Sequence, residues 1–387
     1  MAILSKKKNE MTLKEVTKLL DGFKLPTSLY YTPMNLEEEK KKFFKSYDYN
    51  PHFVYKKVKN NNKEIIKKLA TVTKISDVDP RISSFYIDLI KSKIEADELL
   101  NAVGNNSLVS EISKRRYGVP SDKLFINACL ALKGKNSSYN IRKKEISDDD
   151  KTVLEYKDVC EILTKVLEEL GLNDWKVEKS RNISKNGIKV GAKECTIYIN
   201  KDISRTKFKL KKTIVHEIGT HVLRAVNGEN SGFDALSKAN LSSYLDVEEG
   251  LATYNEMLMG YLTEKWLKNK AALTYAIHIG EKMSFRELYN CLLGILPSKS
   301  AFDVTYRVKR GLGDTSKPGI YAKDVVYFRG FRRVLRKLQA TPSMYNLLYA
   351  GKISFRQCSW VEDGLIPKAK YIPTVNDWNK IFKKVGL

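Results

Sequence analysis

The segment Thr213–Arg224 has the sequence TIVHEIGTHVLR, which contains two of the four histidines in the 387-residue chain. Its apolar residues predict a buried helix. Burying His216, Glu217 and His221 in such a helix costs free energy unless a partner compensates for their lost hydration. A metal ion is the partner that two imidazoles and a carboxylate favour. The segment therefore predicts a metal-binding helix in which His216 and His221 are ligands.

The two histidines are five residues apart, whereas the common zinc-peptidase pattern HExxH places them four apart on one helix face. On a regular α-helix, five steps of roughly 100° leave the two imidazoles about 140° apart, too far to share one ion. A π-turn, whose backbone hydrogen bonds span five residues, brings the two positions over each other. The HExxxH spacing therefore predicts a π-turn between His216 and His221, eased by the missing side chain of Gly219.

A second apolar helix is predicted to begin near Asp246, where the chain reads DVEEGLA. Catalytic zinc sites usually take three protein ligands, and we choose Glu249 as the third ligand here. The spacing leaves an alternative open, because Asp246 followed three residues later by Glu249 also resembles a capping box. Glu217, beside a ligand, is predicted to take a proton from an attacking water and pass it to a leaving amine. This chemistry is amide hydrolysis.

The HEIGTH and EEGLA segments together resemble the proteins named for a QEGLA motif, which include the microtubule-associated tyrosine carboxypeptidases. The resemblance extends from about residue 26 to the C-terminal region. Its further matches are Asn50–Tyr55, Tyr117–Pro120, Arg224–Gly228 and Lys323–Gly330. This chain has Glu248 where the motif name has Gln, which leaves the ligand position, Glu249, unchanged.

The resemblance implies an α+β, zincin-like metallopeptidase that is mainly helical, with a small sheet before the metal-binding helix. It implies one Zn²⁺ ion with His216, His221 and Glu249 as ligands, and Glu217 as the catalytic acid/base. The eukaryotic relatives release a C-terminal tyrosine from the acidic tail of α-tubulin. The resemblance therefore also implies a metallocarboxypeptidase that acts on the C-terminal tail of a peptide or protein.

A carboxypeptidase needs a cation that holds the terminal carboxylate of its substrate. The candidates are Arg224 on the metal-binding helix and Arg310 and Arg329 in an arginine-rich section, although Arg224 suits a structural bridge and Arg329 a solvated face equally well. Tyr254 and Tyr327 are candidate hydroxyl donors to the tetrahedral oxyanion. These five residues are the predicted substrate-binding set.

The N-terminal region, residues 1–150, is lysine-rich and predicted to be mostly helical, and residues 151–387 are predicted to form the zincin-like catalytic domain. This domain is expected to begin with a helix over Val153–Leu170, followed by short β-like runs. One run, Cys195–Asn200, lies before the metal-binding helix. It fits either an interior strand or a strand that pairs with an extended substrate.

The 69 Lys and Arg residues outnumber the 45 Asp and Glu residues, and the net charge of +24 fits either an anionic partner or a genome-wide compositional bias that favours Lys, Asn, Ile and Tyr. We expect this partner to be an acidic polypeptide and expect no nucleic acid. The apolar runs are too short for a membrane span, and the N terminus lacks a secretory signal, which predicts a cytoplasmic protein. Two rival functions stay open: a zinc endopeptidase, and a basic polyanion-binding regulatory protein whose metal site is not catalytic.

Overall fold

The computed structural model describes residues 9–25, 28–135, 141, 146–180, 183, 187–238, 241 and 244–387. The chain forms two compact units. Unit 1 contains Met1–Leu132, Asn240–Ser243 and Ala271–Val325, and unit 2 contains Lys133–Ala239, Tyr244–Lys270 and Val326–Leu387. Each unit is assembled from separate stretches of chain, whereas the sequence analysis divided the chain once, near residue 150.

The described residues are mainly helical. In chain order the α-helices are α1 (Leu13–Gly22), α2 (Leu36–Lys45), α3 (Lys63–Leu69), α4 (Pro80–Asn101), α5 (Asn106–Tyr117), α6 (Asp122–Leu132), α7 (Asp148–Lys151), α8 (Tyr156–Glu169), α9 (Lys207–His216), α10 (Leu223–Glu229), α11 (Asp234–Lys238), α12 (Leu245–Leu258), α13 (Glu264–Ile279), α14 (Phe285–Leu293), α15 (Ser298–Lys309), α16 (Val325–Ala340), α17 (Met344–Leu348), α18 (Cys358–Glu362) and α19 (Val375–Lys384). None of the helices in this described part has the length and hydropathy needed to cross a lipid bilayer.

The strands are short and form small sheets. They are β1 (Asn9–Met11), β2 (Val72–Ile75), β3 (Val153–Glu155), β4 (Lys176–Lys179), β5 (Ile188–Gly191), β6 (Thr196–Ile199) and β7 (Ser204–Thr206). In unit 1, β1 pairs with β2 in parallel. In unit 2, β3 pairs with β7 antiparallel, and β6 lies between β4, which is parallel to it, and β5, which is antiparallel. This arrangement confirms a mainly helical α+β chain with small sheets.

The central position of β6 decides between the two interpretations of Cys195–Asn200. Both edges of β6 are already hydrogen-bonded, with Lys176 opposite Thr196 on one side and Ile188 opposite Ile199 on the other. A substrate strand would need a free edge. The segment is therefore an interior strand, and the alternative of pairing with a substrate strand does not apply in this conformation.

The helix expected over Val153–Leu170 begins three residues later than predicted. Val153–Glu155 is strand β3, and α8 begins at Tyr156 with a capping box, in which the Asp158 carboxylate accepts a hydrogen bond from the Glu155 backbone N–H. A capping box satisfies backbone donors that the helix itself leaves open, and so fixes where the helix starts. Strand β3 pairs with β7, and β7 leads directly into α9.

The core of unit 2 lies against the segment that carries the two histidines. Ile214, Val215, Ile218 and Val222 are fully buried there, together with apolar side chains of α8, β6, α12 and α19. Burial of these four residues fixes which side of the segment faces the core. Thr220 is also fully buried, whereas His216, Glu217 and His221 are partly exposed.

Helices α12 and α16 of unit 2 approach each other closely at two glycines. A Cβ atom added to Gly250 would lie 2.4 Å from the Gly330 carbonyl oxygen, and one added to Gly330 would lie 2.1 Å from the Asp246 carbonyl oxygen. Any side chain at either position would force the two backbones apart. The glycine of the EEGLA segment is therefore a packing requirement that sets the position of the neighbouring glutamates.

Candidate metal centre

The two histidines are brought together by a π-turn. Helix α9 ends at His216, residues Glu217–Val222 have π geometry, and α10 continues from Leu223. The Leu223 N–H donates to the carbonyl oxygen of Ile218, five residues earlier. The imidazole centroids of His216 and His221 are 5.1 Å apart. The π-turn predicted from the HExxxH spacing is thus confirmed.

Gly219 lies in this π-turn and has a packing role that the sequence did not reveal. A Cβ atom added to Gly219 would lie 2.9 Å from Cζ2 of Trp378 on α19. The indole is almost fully buried. The absence of a side chain at Gly219 therefore lets α19 pack directly on the turn, in addition to any easing of the turn itself.

Glu249 completes a cluster with the two histidines. One ligand atom each from His216, His221 and Glu249 lies within 4.8 Å of the others, and Glu249 Oε2 is 3.7 Å from His216 Nε2. The capping-box alternative is not observed, because the N-cap residue of α12 is Tyr244 and makes no side-chain cap. Asp246 instead accepts two hydrogen bonds from Arg329.

The chemistry of this cluster fits a zinc ion. Two imidazole nitrogens and a carboxylate oxygen are a common ligand set of catalytic zinc, which keeps a further position for water. Within the described ranges, this is the one group of three or more His, Cys, Asp or Glu side chains with such spacing. Burial lowers the pKa of His216, but the neighbouring carboxylates of Glu249 and Glu256 raise it well above its usual value. The surroundings thus favour a positive charge.

Two further glutamates of α12 orient the histidines, and neither role was predicted from the sequence. Glu256 Oε1 lies 2.8 Å from His216 Nδ1, and Glu248 Oε1 lies 2.7 Å from His221 Nδ1. A carboxylate on Nδ1 selects the tautomer that leaves Nε2 free to bind a metal. The seven-residue spacing of Glu249 and Glu256, two helical turns, is the sequence signal that would have indicated Glu256.

The buried charge of Glu248 is compensated by two cations. Its carboxylate accepts a hydrogen bond from Arg224, and Oε1 lies 2.9 Å from Lys352 Nζ. Burial alone would raise the pKa of Glu248, but Lys352, Arg224 and the His221 ring together lower it well below its usual value. Glu248 is therefore a carboxylate anchored from three sides, where the family motif name has an uncharged Gln.

Glu217 lies in the π-turn and is partly exposed. Four residues before it, Thr213 accepts a 2.6 Å hydrogen bond from NH1 of Arg205 on β7. Thr213 and Glu217 share a helix face, so Arg205 lies on the side of the catalytic candidate. Burial lowers the pKa of Arg205, and the Glu217 charge opposes this shift. Arg205 is therefore a neighbour of the site, and nothing in the sequence indicated it.

Arg224, a predicted substrate-binding residue, has a structural position instead. Its side chain is completely buried, and it donates to Glu248 and to the carbonyl oxygens of Leu348, Gly351 and Ile353. The Nε, NH1 and NH2 atoms of the guanidinium all donate to these acceptors. In this conformation Arg224 is not available to a substrate carboxylate, which favours the structural bridge over the substrate-binding alternative.

The other predicted substrate-binding residues are dispersed. Arg329 forms a two-bonded ion pair with Asp246, at 2.6 and 2.8 Å. Tyr254 lies about 140° around α12 from Glu249, and its ring contacts Tyr345, with 6.2 Å between centroids. The Lys270 ammonium lies 4.1 Å from the centre of the Tyr327 ring. Tyr254 is therefore not on the ligand face of α12.

Arg310 belongs to unit 1, whereas His216, His221 and Glu249 all belong to unit 2. Its guanidinium lies 4.9 Å from the centre of the Tyr321 ring. The nearest carboxylate oxygen, Oδ1 of Asp324, is 4.0 Å from its NH2 atom.

Comparison with known proteins identifies the family. The sequence model of the microtubule-associated tyrosine carboxypeptidases matches residues 41–385, so the chain belongs to that family. This confirms the resemblance seen in the two motifs.

The relatives are longer than this chain. A mouse protein named "Putative tyrosine carboxypeptidase MATCAP2" is 27% identical over 361 residues, which cover 92% of this chain and 59% of the relative. Human microtubule-associated tyrosine carboxypeptidase 1 is 35% identical over 164 residues, 41% of this chain and 34% of the relative. The chain thus spans about three fifths of the mouse relative's length.

Proposed function

We propose that this chain is a zinc-dependent carboxypeptidase that hydrolyses the last peptide bond of an acidic protein tail and releases a C-terminal residue such as tyrosine. The observation that carries the proposal is the cluster of His216, His221 and Glu249 ligand atoms within 4.8 Å, with Glu217 adjacent in sequence to a ligand. The names of the relatives support the carboxypeptidase reaction. Both names contain the words tyrosine carboxypeptidase, which supports the preference for a C-terminal tyrosine.

In this proposal His216, His221 and Glu249 hold one Zn²⁺ ion. A zinc ion there supplies Lewis acidity, which polarises the scissile carbonyl and lowers the pKa of the attacking water. Glu256 and Glu248 each keep the proton of a histidine on Nδ1, so both Nε2 atoms stay available as ligands. The two glutamates therefore position the ligands and do not themselves contact the substrate.

Glu217 performs the proton transfers. Its carboxylate accepts a proton from the attacking water and delivers it to the leaving amine, so that one group serves both halves of the hydrolysis. A structural metal site needs no such carboxylate beside a ligand, and it usually has four protein ligands. Both points support catalysis over the regulatory alternative.

An acidic tail suits the charge of the chain. The surplus of 24 positive charges attracts polyanions over several ångströms and raises the rate of encounter, with an effect that salt weakens. A cytoplasmic location stays a prediction.

Mass spectrometry of an acidic peptide ending in tyrosine tests the proposal, with the zinc-loaded parent and its Glu217→Gln variant side by side. We expect the parent to remove one C-terminal residue and the variant to be at least ~100-fold slower, the scale of acid–base catalysis. Glu229→Gln is the matched control, because Glu229 is an exposed glutamate at the end of α10. It should cleave like the parent.

Blocking the peptide's C terminus as an amide separates the rival functions. A carboxypeptidase should lose its activity on the amidated peptide. Internal cleavage of both peptides would establish the endopeptidase instead. Salt-sensitive peptide binding without any cleavage, retained after zinc removal, would favour the polyanion-binding regulatory protein.

A further inference from the structure

The π-turn that joins the two histidines changes the hydrogen bonds of its own backbone. In an α-helix the Leu223 N–H would donate to the carbonyl oxygen of Gly219, four residues earlier. Here it donates to Ile218, so the Gly219 carbonyl does not receive this hydrogen bond. Gly219 is buried, and a buried carbonyl group that loses a donor costs free energy. The π geometry therefore favours a donor from another part of the chain.

The Tyr349 hydroxyl supplies this donor. Tyr349 directly follows α17, and its side chain is almost fully buried. Its hydroxyl oxygen lies 2.7 Å from the Gly219 carbonyl oxygen, to which it donates. A phenol hydroxyl has one hydrogen to donate, and Tyr349 uses it on the turn. The hydrogen bond is thus made between the two histidine positions, at the carbonyl that the π geometry affects.

Asn255 of α12 connects the same hydroxyl to a second residue of the turn. Its Nδ2 atom donates to the Tyr349 hydroxyl at 2.8 Å and to the Thr220 hydroxyl at 2.7 Å. Its Oδ1 atom accepts a hydrogen bond from the Tyr345 hydroxyl at 3.0 Å. Because Tyr349 donates its hydrogen to Gly219, it must accept from Asn255, which fixes the amide nitrogen toward the turn. Both amide hydrogens and the amide oxygen are therefore engaged.

This hydrogen-bond network is buried and lies beside the metal cluster. Thr220 is fully buried and Asn255 almost so. Thr220 directly precedes His221, and Asn255 directly precedes Glu256, whose carboxylate is bonded to His216. A buried network whose members all have partners is rigid. The network therefore contacts the turn one residue away from a ligand and one residue away from a carboxylate that orients the other ligand.

We infer that Tyr349 and Asn255 are positioning residues that hold the turn in π geometry before a metal ion binds. Isolated π-turns are rare, which indicates that specific contacts must stabilise them. In a continuous α-helix, His216 and His221 would lie about 140° apart and could not share an ion. The fraction of molecules with π geometry therefore sets the apparent affinity for the metal. The inference rests on the zinc site of the proposed function, but it requires no cleavage.

Zinc affinity, measured by competition with a zinc-binding dye, tests the inference. Tyr349→Phe keeps the ring and removes the hydroxyl, and we expect its zinc affinity to fall about tenfold, the factor that corresponds to one well-formed hydrogen bond. If Tyr349→Phe does not fold, Thr220→Val decides, because it removes an acceptor of Asn255 and keeps a side chain of similar shape. It should lower the zinc affinity as well. An unchanged zinc affinity in the folded variant would overturn the inference.

Tyr55→Phe is the matched control. The Tyr55 hydroxyl donates to the Leu312 carbonyl oxygen at 3.0 Å and accepts from the Gly311 N–H at 2.8 Å. Like the Tyr349 hydroxyl it joins a donor to a backbone carbonyl, but these three residues belong to unit 1. Its removal should lower the unfolding temperature and leave the zinc affinity within about twofold, the scale of coupling between distant sites. Equal losses of zinc affinity in Tyr55→Phe and Tyr349→Phe would overturn the inference, because general destabilisation would then explain both.

Hydrogen exchange of the metal-free protein examines the turn without a ligand. The backbone amides from Glu217 to Leu223 should exchange about tenfold faster in Tyr349→Phe than in the parent, because loss of a stabilising hydrogen bond raises the population of locally opened states by that factor. Tyr55→Phe should leave these exchange rates unchanged. If Tyr349→Phe exchanges at the parent rate, the hydroxyl does not hold the turn and the inference is wrong.

Cleavage of the tyrosine-terminated peptide separates this inference from the proposed function. If the parent removes a C-terminal residue and Tyr349→Phe binds zinc as tightly as the parent, the inference alone is refuted. If the parent cleaves nothing, but Tyr349→Phe loses zinc affinity and exchanges faster in the turn, the proposed function is refuted and the inference is supported.

Discussion

Glu248 Oε1 lies 2.7 Å from Nδ1 of His221, and the same carboxylate is hydrogen-bonded to Arg224 and Lys352. One glutamate thus connects a candidate metal ligand to two buried cations. The QEGLA motif name has Gln at this position. This chain therefore combines a charged residue with the cations that balance it.

The first prediction concerns the charge of Glu248. Glu248→Gln retains an acceptor for His221 but leaves Arg224 and Lys352 without a buried anion, so the free energy of unfolding should fall by about 3 kcal/mol. Glu248→Ala also removes the acceptor and should lower zinc affinity about 10- to 100-fold. Urea denaturation and competition with a zinc-binding dye measure the two effects.

Glu229→Gln is the control for Glu248→Gln, because it makes the same chemical change at an exposed position. It should change the free energy of unfolding by less than about 0.5 kcal/mol. If Glu248→Gln is equally mild, the two cations do not depend on the carboxylate.

The second prediction concerns metal removal. A ligand that binds only the folded state stabilises it, by about 2.7 kcal/mol at a concentration 100-fold above Kd. A chelator should therefore lower the unfolding temperature of the parent by several degrees. Glu249→Ala, which removes a proposed ligand, should start lower and respond little. Identical chelator responses of the two proteins, followed by differential scanning fluorimetry, would refute the proposed ligand set.

Much of the candidate site was predictable because its determinants are local. The five-residue spacing of His216 and His221 requires a π-turn if both bind one ion, and the structure has one. Glu249 was predicted as the third ligand because it is a carboxylate on a second apolar helix. Its position beside the histidines depends on the close approach of α12 to α16 at Gly250, which no local pattern specifies.

The errors arose where distant chain segments decide the outcome. Arg224 looked available for substrate, but its acceptors are carbonyl groups of Leu348, Gly351 and Ile353, more than 120 residues away. The sequence left Cys195–Asn200 open between an interior strand and a substrate-pairing strand, because the pairing of β6 with both neighbours is also a tertiary property. Periodicity detects helices and strands, but it does not show which edges or side chains are already engaged.

The third prediction concerns the contact between α12 and α16. Gly250→Ala places a methyl carbon 2.4 Å from the Gly330 carbonyl oxygen. This oxygen is a backbone atom, so it does not move aside as the end of a flexible side chain would. The helices must separate, and the free energy of unfolding should fall by about 2–3 kcal/mol. Zinc affinity should fall as well, because Glu249 moves with α12. Urea denaturation and zinc titration measure the two quantities.

Gly294→Ala is the control for this substitution. Gly294 has a φ of −70°, and an added methyl group would meet nothing closer than the Cys291 carbonyl oxygen at 3.9 Å. Its effect on stability should be near zero or slightly favourable. A similar loss in both variants would show that the helix contact is not the cause.

The fourth prediction concerns Lys309 in unit 1. Its Nζ atom is buried and donates to the carbonyl oxygens of Gly280, Met283 and Gly319. Lys309→Met removes the donor and leaves these acceptors without it, which should lower the free energy of unfolding by about 2–4 kcal/mol. Urea denaturation at pH 7 measures the loss.

Lys309 should also make stability depend on pH. Burial lowers its pKa to about 7, and the charge of Glu287 opposes the shift. Between this value and roughly 10.4, the unfolded chain holds a proton that the folded chain has released, so the free energy of unfolding rises with pH. Lys309→Met should lack this contribution. Parallel pH profiles of the parent and the variant would contradict the assignment.

The three carboxylates around the histidines, those of Glu248, Glu249 and Glu256, all lie on α12. Adding or deleting a single residue between Glu249 and Glu256 would turn Glu256 by roughly 100° relative to the other two glutamates. The carboxylate that orients His216 would then leave the cluster, while Glu248 and Glu249 stayed in place. The seven-residue separation of Glu249 and Glu256 is therefore as strict a requirement for the site as the identity of its glutamates.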